Sequence, residues 1–107
     1  GSRPQFAGQI HNGADDNASG TSALLALAEE LSRGVKPERS ILFQAYTAEE
    51  SGLIGSRHFV ANPLVPIESV VAMVNLDMVG RVKNERLYVG GAGTAEAFDA
   101  ILSAADA

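Results

Sequence analysis

The stretch SILFQAY at residues 40–46 is almost unbroken apolar sequence, rich in β-formers and interrupted only by Gln44 and the flanking Ser40. A strand that shows one face to water alternates apolar and polar residues. A run without that alternation therefore reads as a strand covered on both faces. VVAMVNL at residues 70–76 has the same character, and residues 86–89 (RLYV) form a shorter third candidate. Between and around these runs the period changes. Leu24, Leu27, Ala28 and Leu31 recur at helical spacing, with Leu25 widening the apolar face. This helix is expected to begin within two residues of Ala18, capped by Asn17 or Ser19, and to end at Gly34 in a left-handed turn. A second helix is expected over about residues 53–62, stopped by Pro63, and a third over 95–105. Residues 1–17, with Pro4, Gly8, Asn12 and Gly13, read as loop.

The resulting order of helix, strand, helix, strand, strand, helix implies an α/β fold with a largely parallel sheet. Residues 40–46 and 70–76, joined by a helical crossover, are expected to be neighbouring parallel strands. The third helix runs almost to the last residue, which suggests an incomplete piece of a larger fold. A piece of that kind leaves sheet edges or helix faces uncovered, so self-association is expected.

At 107 residues the chain has room for one domain, 1–107, with one modest core. It is 46% hydrophobic and 20% charged, and no internal repeat or low-complexity segment is present. The net charge of −5 disfavours nucleic acid and anionic membranes, both of which attract basic surfaces. With no cysteine, a disulfide framework, a thiol nucleophile and a cysteine-ligated metal are all excluded. No stretch approaches the roughly 20 apolar residues of a membrane span. Gly1-Ser2 reads either as an expression scar or as native loop.

Three acidic clusters fall at the ends of expected elements: Asp15-Asp16 before the first helix, Glu49-Glu50 after the first strand, and Asp77 after the second. Ligand sites in open α/β sheets gather beyond the carboxyl ends of strands. Carboxylates converging there repel one another unless a cation or proton separates them. Each cluster also has an ordinary reading. Asp and Asn before a helix serve as caps, and a Glu pair in a loop is commonly a solvated surface. Asp77 is harder to dismiss, because a carboxylate closing a buried run is costly to desolvate without a partner.

Three motifs in register carry a family resemblance. Residues 12–20 (NGADDNASG), 48–56 (AEESGLIGS) and 75–80 (NLDMVG) resemble the metal-binding motifs of co-catalytic dizinc aminopeptidases, the bacterial leucyl aminopeptidase and aminopeptidase S and Y type. The resemblance covers about residues 10–92. It implies a three-layer αβα sandwich with a largely parallel or mixed sheet, of which this chain holds the central part. It implies a peptide substrate and two zinc ions, bridged by Asp16, with Glu50 ligating one and Asp77 the other. Glu49 is implied as the general base for the attacking water, and the Asp16–Asn17 peptide bond as cis. In such sites zinc acts as a Lewis acid while a carboxylate held off the metal moves protons. Adjacent Glu49 and Glu50 point opposite ways in a regular strand, so convergence on one site requires a bend.

The departures concern histidine. The family uses one histidine in a His-x-Asp segment before the bridging aspartate and another well after the second aspartate, and neither is present. His11 lacks that context and reads as loop, and His58 as a helix-surface residue. Glu29-Glu30 reads as a solvated helix face, Asp15 as standing beside the site or facing solvent, and residues 90–93 (GGAG) as a turn. The chain alone is therefore expected to be inactive. Two alternatives remain: a metal-less binding module of the same fold, and carboxypeptidase or glutaminyl-cyclase chemistry.

Overall fold

A computed structural model describes residues 4–34 and 36–106. Gly1-Ser2 lies outside the described residues. Three helices form where the periodicity places them: α1 over Gly20–Arg33, α2 over Ile54–Ala61 and α3 over Glu96–Ala105. Short 3-10 turns occupy Pro4–Phe6, Ile67–Ser69 and Ala92–Thr94. Along α1, Leu24, Ala28 and Leu31 are half-buried while Leu25 is exposed. An ion pair between Arg33 and Glu29, 2.6 Å long, spans one turn of its solvent face. Gly34 donates its N–H to Glu30 but stands at φ −85°, ψ −158°, so the helix ends by straightening rather than in a left-handed turn.

The apolar runs behave differently from the expectation. Among the described residues, 40–46 and 70–76 carry no ladder to each other, and the third run contributes only the edge of an isolated antiparallel bridge between Lys83 and Arg86. Val71 and Val74 are 69% and 83% exposed. The physical reason lies in what a strand needs. Its backbone N–H and C=O groups are satisfied by a neighbouring strand, and its apolar side chains by an opposite layer. Sequence can favour a strand without supplying either partner.

The surface area makes the same point. A compact monomer of 11.1 kDa exposes about 5,700 Å², whereas this chain exposes 9497 Å². Its radius of gyration is 16.2 Å, against about 13 Å for a compact domain of this length. No hydrophobic residue among those described is fully buried. The modest core expected from length alone is not assembled among the described residues.

Two local packings nonetheless hold the acidic loops. The first is between α2 and the end of the 40–46 run. Tyr46 and Phe59 approach with ring centroids 6.1 Å apart. Gly55 lies so close to Thr47 that a Cβ there would sit 2.7 Å from its carbonyl oxygen. The second joins the start of α1 to residues 76–81.

Candidate metal centre

The loop before α1 is a wide turn over Ala14–Ser19, entered through Gly13 at φ 65°. Its backbone leaves helical geometry at Asp16 (φ −105°, ψ 93°) and Asn17 (φ −133°, ψ 44°). The Asp16–Asn17 peptide bond is cis, as the family resemblance implied. Ser19 does not cap the helix. Its hydroxyl donates back to the Asp15 carbonyl at 2.6 Å, and Asn17 caps instead, its Oδ1 accepting the Gly20 N–H at 3.1 Å. The Asn17 carbonyl also accepts the Thr21 hydroxyl, at 3.0 Å.

Asn17 does more than cap. Its Nδ2 donates to the Leu76 carbonyl at 2.9 Å, and its Oδ1 accepts the Met78 N–H at 3.1 Å. One side-chain amide therefore brackets Asp77 from the residues on either side. The residue after Asp16 is thereby tied to the residues on either side of Asp77 by side-chain-to-backbone bonds that span 59 and 61 residues of sequence.

Asp15, left open between two readings, is the member of the pair turned inward. Its side chain is 16% exposed, with Oδ2 3.4 Å from Arg81 Nε. Its Oδ1 is shielded from solvent and has no hydrogen-bond partner among the described residues. Asp16 is exposed.

The Glu49-Glu50 loop closes on itself. The N–H groups of Gly52 and Leu53 both donate to the Glu49 carbonyl, at 2.9 and 2.8 Å. The first N–H groups of α2, which have no partner inside a helix, are taken up by the same loop, Ile54 donating to Ala48 and Gly55 to Thr47. The chain turns sharply just before the two glutamates, at Ala48, whose φ is 54°. Met78, immediately after Asp77, has φ 51°, and Leu53 has φ 60°. Left-handed backbone is uncommon for residues with a Cβ and is found where the surroundings enforce it.

Among the described residues no three of His, Cys, Asp and Glu lie close enough to hold a metal ion. Tested on the donor set, Asp16, Glu50 and Asp77 suit a zinc centre in kind, since all offer carboxylate oxygen. They do not suit it in number, because a catalytic zinc keeps three protein ligands. The Asn17 amide ties the residue after Asp16 to the backbone on either side of Asp77, and Glu49 and Glu50 lie in the bent loop that leads into α2. His11 stands outside, exposed, its ring edge-on to Phe6 at 6.2 Å, and His58 lies exposed on α2. The GGAG stretch is a turn, with Thr94 donating to the Gly91 carbonyl through both N–H and hydroxyl.

Sequence reasoning read Asn17 only as a cap and assigned nothing to Gly20 or Arg81. The available signal was a glycine inside the first turn of a helix, where alanine would serve better unless another backbone comes close.

A cation-centred hydrolase site is the class that these motifs define, and comparison with known proteins agrees. The sequence matches peptidase family M28 over residues 2–107, and the chain belongs to that family. It is 42% identical over 80 residues to aminopeptidase YwaD of Bacillus subtilis, covering 72% of this chain and 17% of that protein. It is 40% identical over 73 residues to a probable zinc metalloprotease of Pyrenophora tritici-repentis, covering 68% and 17%. The leupeptin-inactivating enzyme 1 of Streptomyces exfoliatus is 40% identical over 70 residues, covering 64% and 16%. The chain thus spans about a sixth of the length of these relatives. No solved structure matches it.

Proposed function

We propose that this chain is the central segment of a zinc-dependent aminopeptidase that removes amino-terminal residues from peptides. The reading is supported above all by the Asn17 amide, which ties the loop carrying Asp16 to the backbone on both sides of Asp77. Membership of the M28 family and the names of its relatives support peptidase chemistry and zinc. In this proposal Asp16 is shared between two ions, Glu50 serves one and Asp77 the other. The nitrogen ligands and the remaining layers of an αβα sandwich come from parts of the longer protein that this chain does not span. Glu49, at the bend after Ala48, takes a proton from the attacking water and returns it to the departing amine.

The test uses the longer protein. Hydrolysis of a leucine anilide that is lost on chelation, restored by zinc and abolished by acetylating the substrate amine is the expected result. Equal cleavage of the acetylated substrate, or of a substrate offering only a free carboxyl end, overturns the aminopeptidase reading. Absence of any hydrolysis by the zinc-loaded protein favours the binding-module alternative.

A further inference from the structure

We propose that Asn17 is a positioning residue: its side-chain amide sets the register between the Asp16 loop and the Asp77 segment, as a short stand-in for a neighbouring strand. In a strand, the C=O of one residue and the N–H two residues on lie along the same edge, where a partner strand would pair with both. Leu76 C=O and Met78 N–H are such a pair, and both are taken by Asn17, at 2.9 and 3.1 Å. A primary amide holds its donor and its acceptor on two separate atoms of one rigid plane, so it can serve a C=O and an N–H spaced along a strand edge at once. The same Oδ1 accepts the Gly20 N–H at 3.1 Å, which fixes the amide to the first turn of α1.

Gly20 is part of the device. It is the one buried residue among those described. A Cβ at this position would overlap the Leu76 carbonyl oxygen and lie 2.6 Å from Asn17 Oδ1. The absent side chain is what lets the helix start, the amide and the 76–78 backbone share one place. With Asn17 fixed at both ends, Asp16 and Asp77 each lie one residue from an anchored point, and the positive φ of Met78 is held by the same contact. A metal centre tolerates displacement of its ligands by only about 0.5 Å. The consequence for metal rests on the proposed function; the register itself does not.

The longer protein is prepared metal-free, as wild type, Asn17→Ala and Asn17→Asp. Hydrogen exchange at the Met78 amide and zinc affinity by competition with a chelating dye are measured, with thermal unfolding as a control. Met78 is expected to be protected in the wild type and to exchange at least about tenfold faster in Asn17→Ala. Zinc affinity is expected to fall about 10- to 100-fold, the range for groups that orient metal ligands. Asn17→Asp keeps the oxygen that accepts from Met78 but sets a second oxygen against the Leu76 carbonyl where the donor stood, so its Met78 exchange should fall between those of the wild type and Asn17→Ala. An Asn17→Ala protein with a lowered unfolding temperature but unchanged Met78 exchange and zinc affinity overturns the proposal. If Asn17→Ala does not fold, wild-type Met78 protection and zinc affinity in Asn17→Asp do so instead. A protected Met78 in a protein without peptidase activity sinks the proposed function and leaves the register standing. An active protein with an unprotected Met78 does the reverse.

Discussion

Arg81 Nε lies 3.4 Å from Asp15 Oδ2, so the segment after Gly80 is tied to the loop before α1 by charge as well as by the Asn17 amide. The two ends of the pair are unequal: Arg81 is 72% exposed and Asp15 only 16%. The contact runs through Nε alone, without the two-pronged geometry that makes arginine pairs strong. A pair of this kind contributes roughly 0.2–1 kcal/mol. Arg81→Ala should therefore lower stability by less than about 1 kcal/mol, with a smaller loss in ~1 M salt, where the screening length is about 3 Å. Chemical denaturation of the longer protein at two salt concentrations checks both statements. A salt-independent loss above that range would mean that Arg81 acts through packing.

Gly20→Ala should reverse the usual sign. In an exposed helix interior alanine is favoured over glycine by about 1 kcal/mol. Here the new methyl meets the Leu76 carbonyl and the Asn17 amide, and overpacking of that sort costs on the order of 1–3 kcal/mol. The expected result is a lower unfolding temperature together with faster Met78 exchange. A more stable Gly20→Ala protein would show that α1 and the 76–78 segment are not in contact in solution.

Glu49→Gln should reduce turnover by about 10²–10⁴-fold, the worth of a positioned proton carrier, with zinc content unchanged. Glu50→Ala and Asp77→Ala should instead lower zinc content. Steady-state kinetics paired with metal analysis of the longer protein separates the two classes. Should Glu49→Gln lose metal while keeping its rate per bound zinc, the roles of Glu49 and Glu50 are exchanged.

The isolated 107-residue chain should be inactive, bind zinc weakly and self-associate. Its described residues gather no three metal donors, and carboxylate oxygen without neutral nitrogen does little to favour zinc over magnesium or calcium. Apolar runs such as 70–76 lie open and unladdered, a condition that invites pairing between copies. Calorimetric titration with zinc, an anilide assay and light scattering after size exclusion test the three parts. Sub-micromolar zinc affinity with metal-dependent hydrolysis, or a stable monomer at high concentration, would contradict them.

The sequence by itself determined the helices, the turns and the order of the acidic stations. Those depend on local quantities: the repeat of Leu24, Ala28 and Leu31, the stop at Pro63, and carboxylates set at the ends of apolar runs. It also carried the family, because NGADDN, AEESG and NLDMVG each join a carboxylate to the small residues its loop requires. Tertiary structure decided the rest. No local rule says that Asn17 reaches Leu76 and Met78 across some sixty residues, that Ala48 and Met78 take left-handed backbone, or that Asp15 turns inward to Arg81. Nor does an apolar run contain its own sheet. Residues 40–46 and 70–76 have the composition of buried strands, but burial belongs to the neighbours that cover them, and a strand exists only where another backbone accepts its hydrogen bonds.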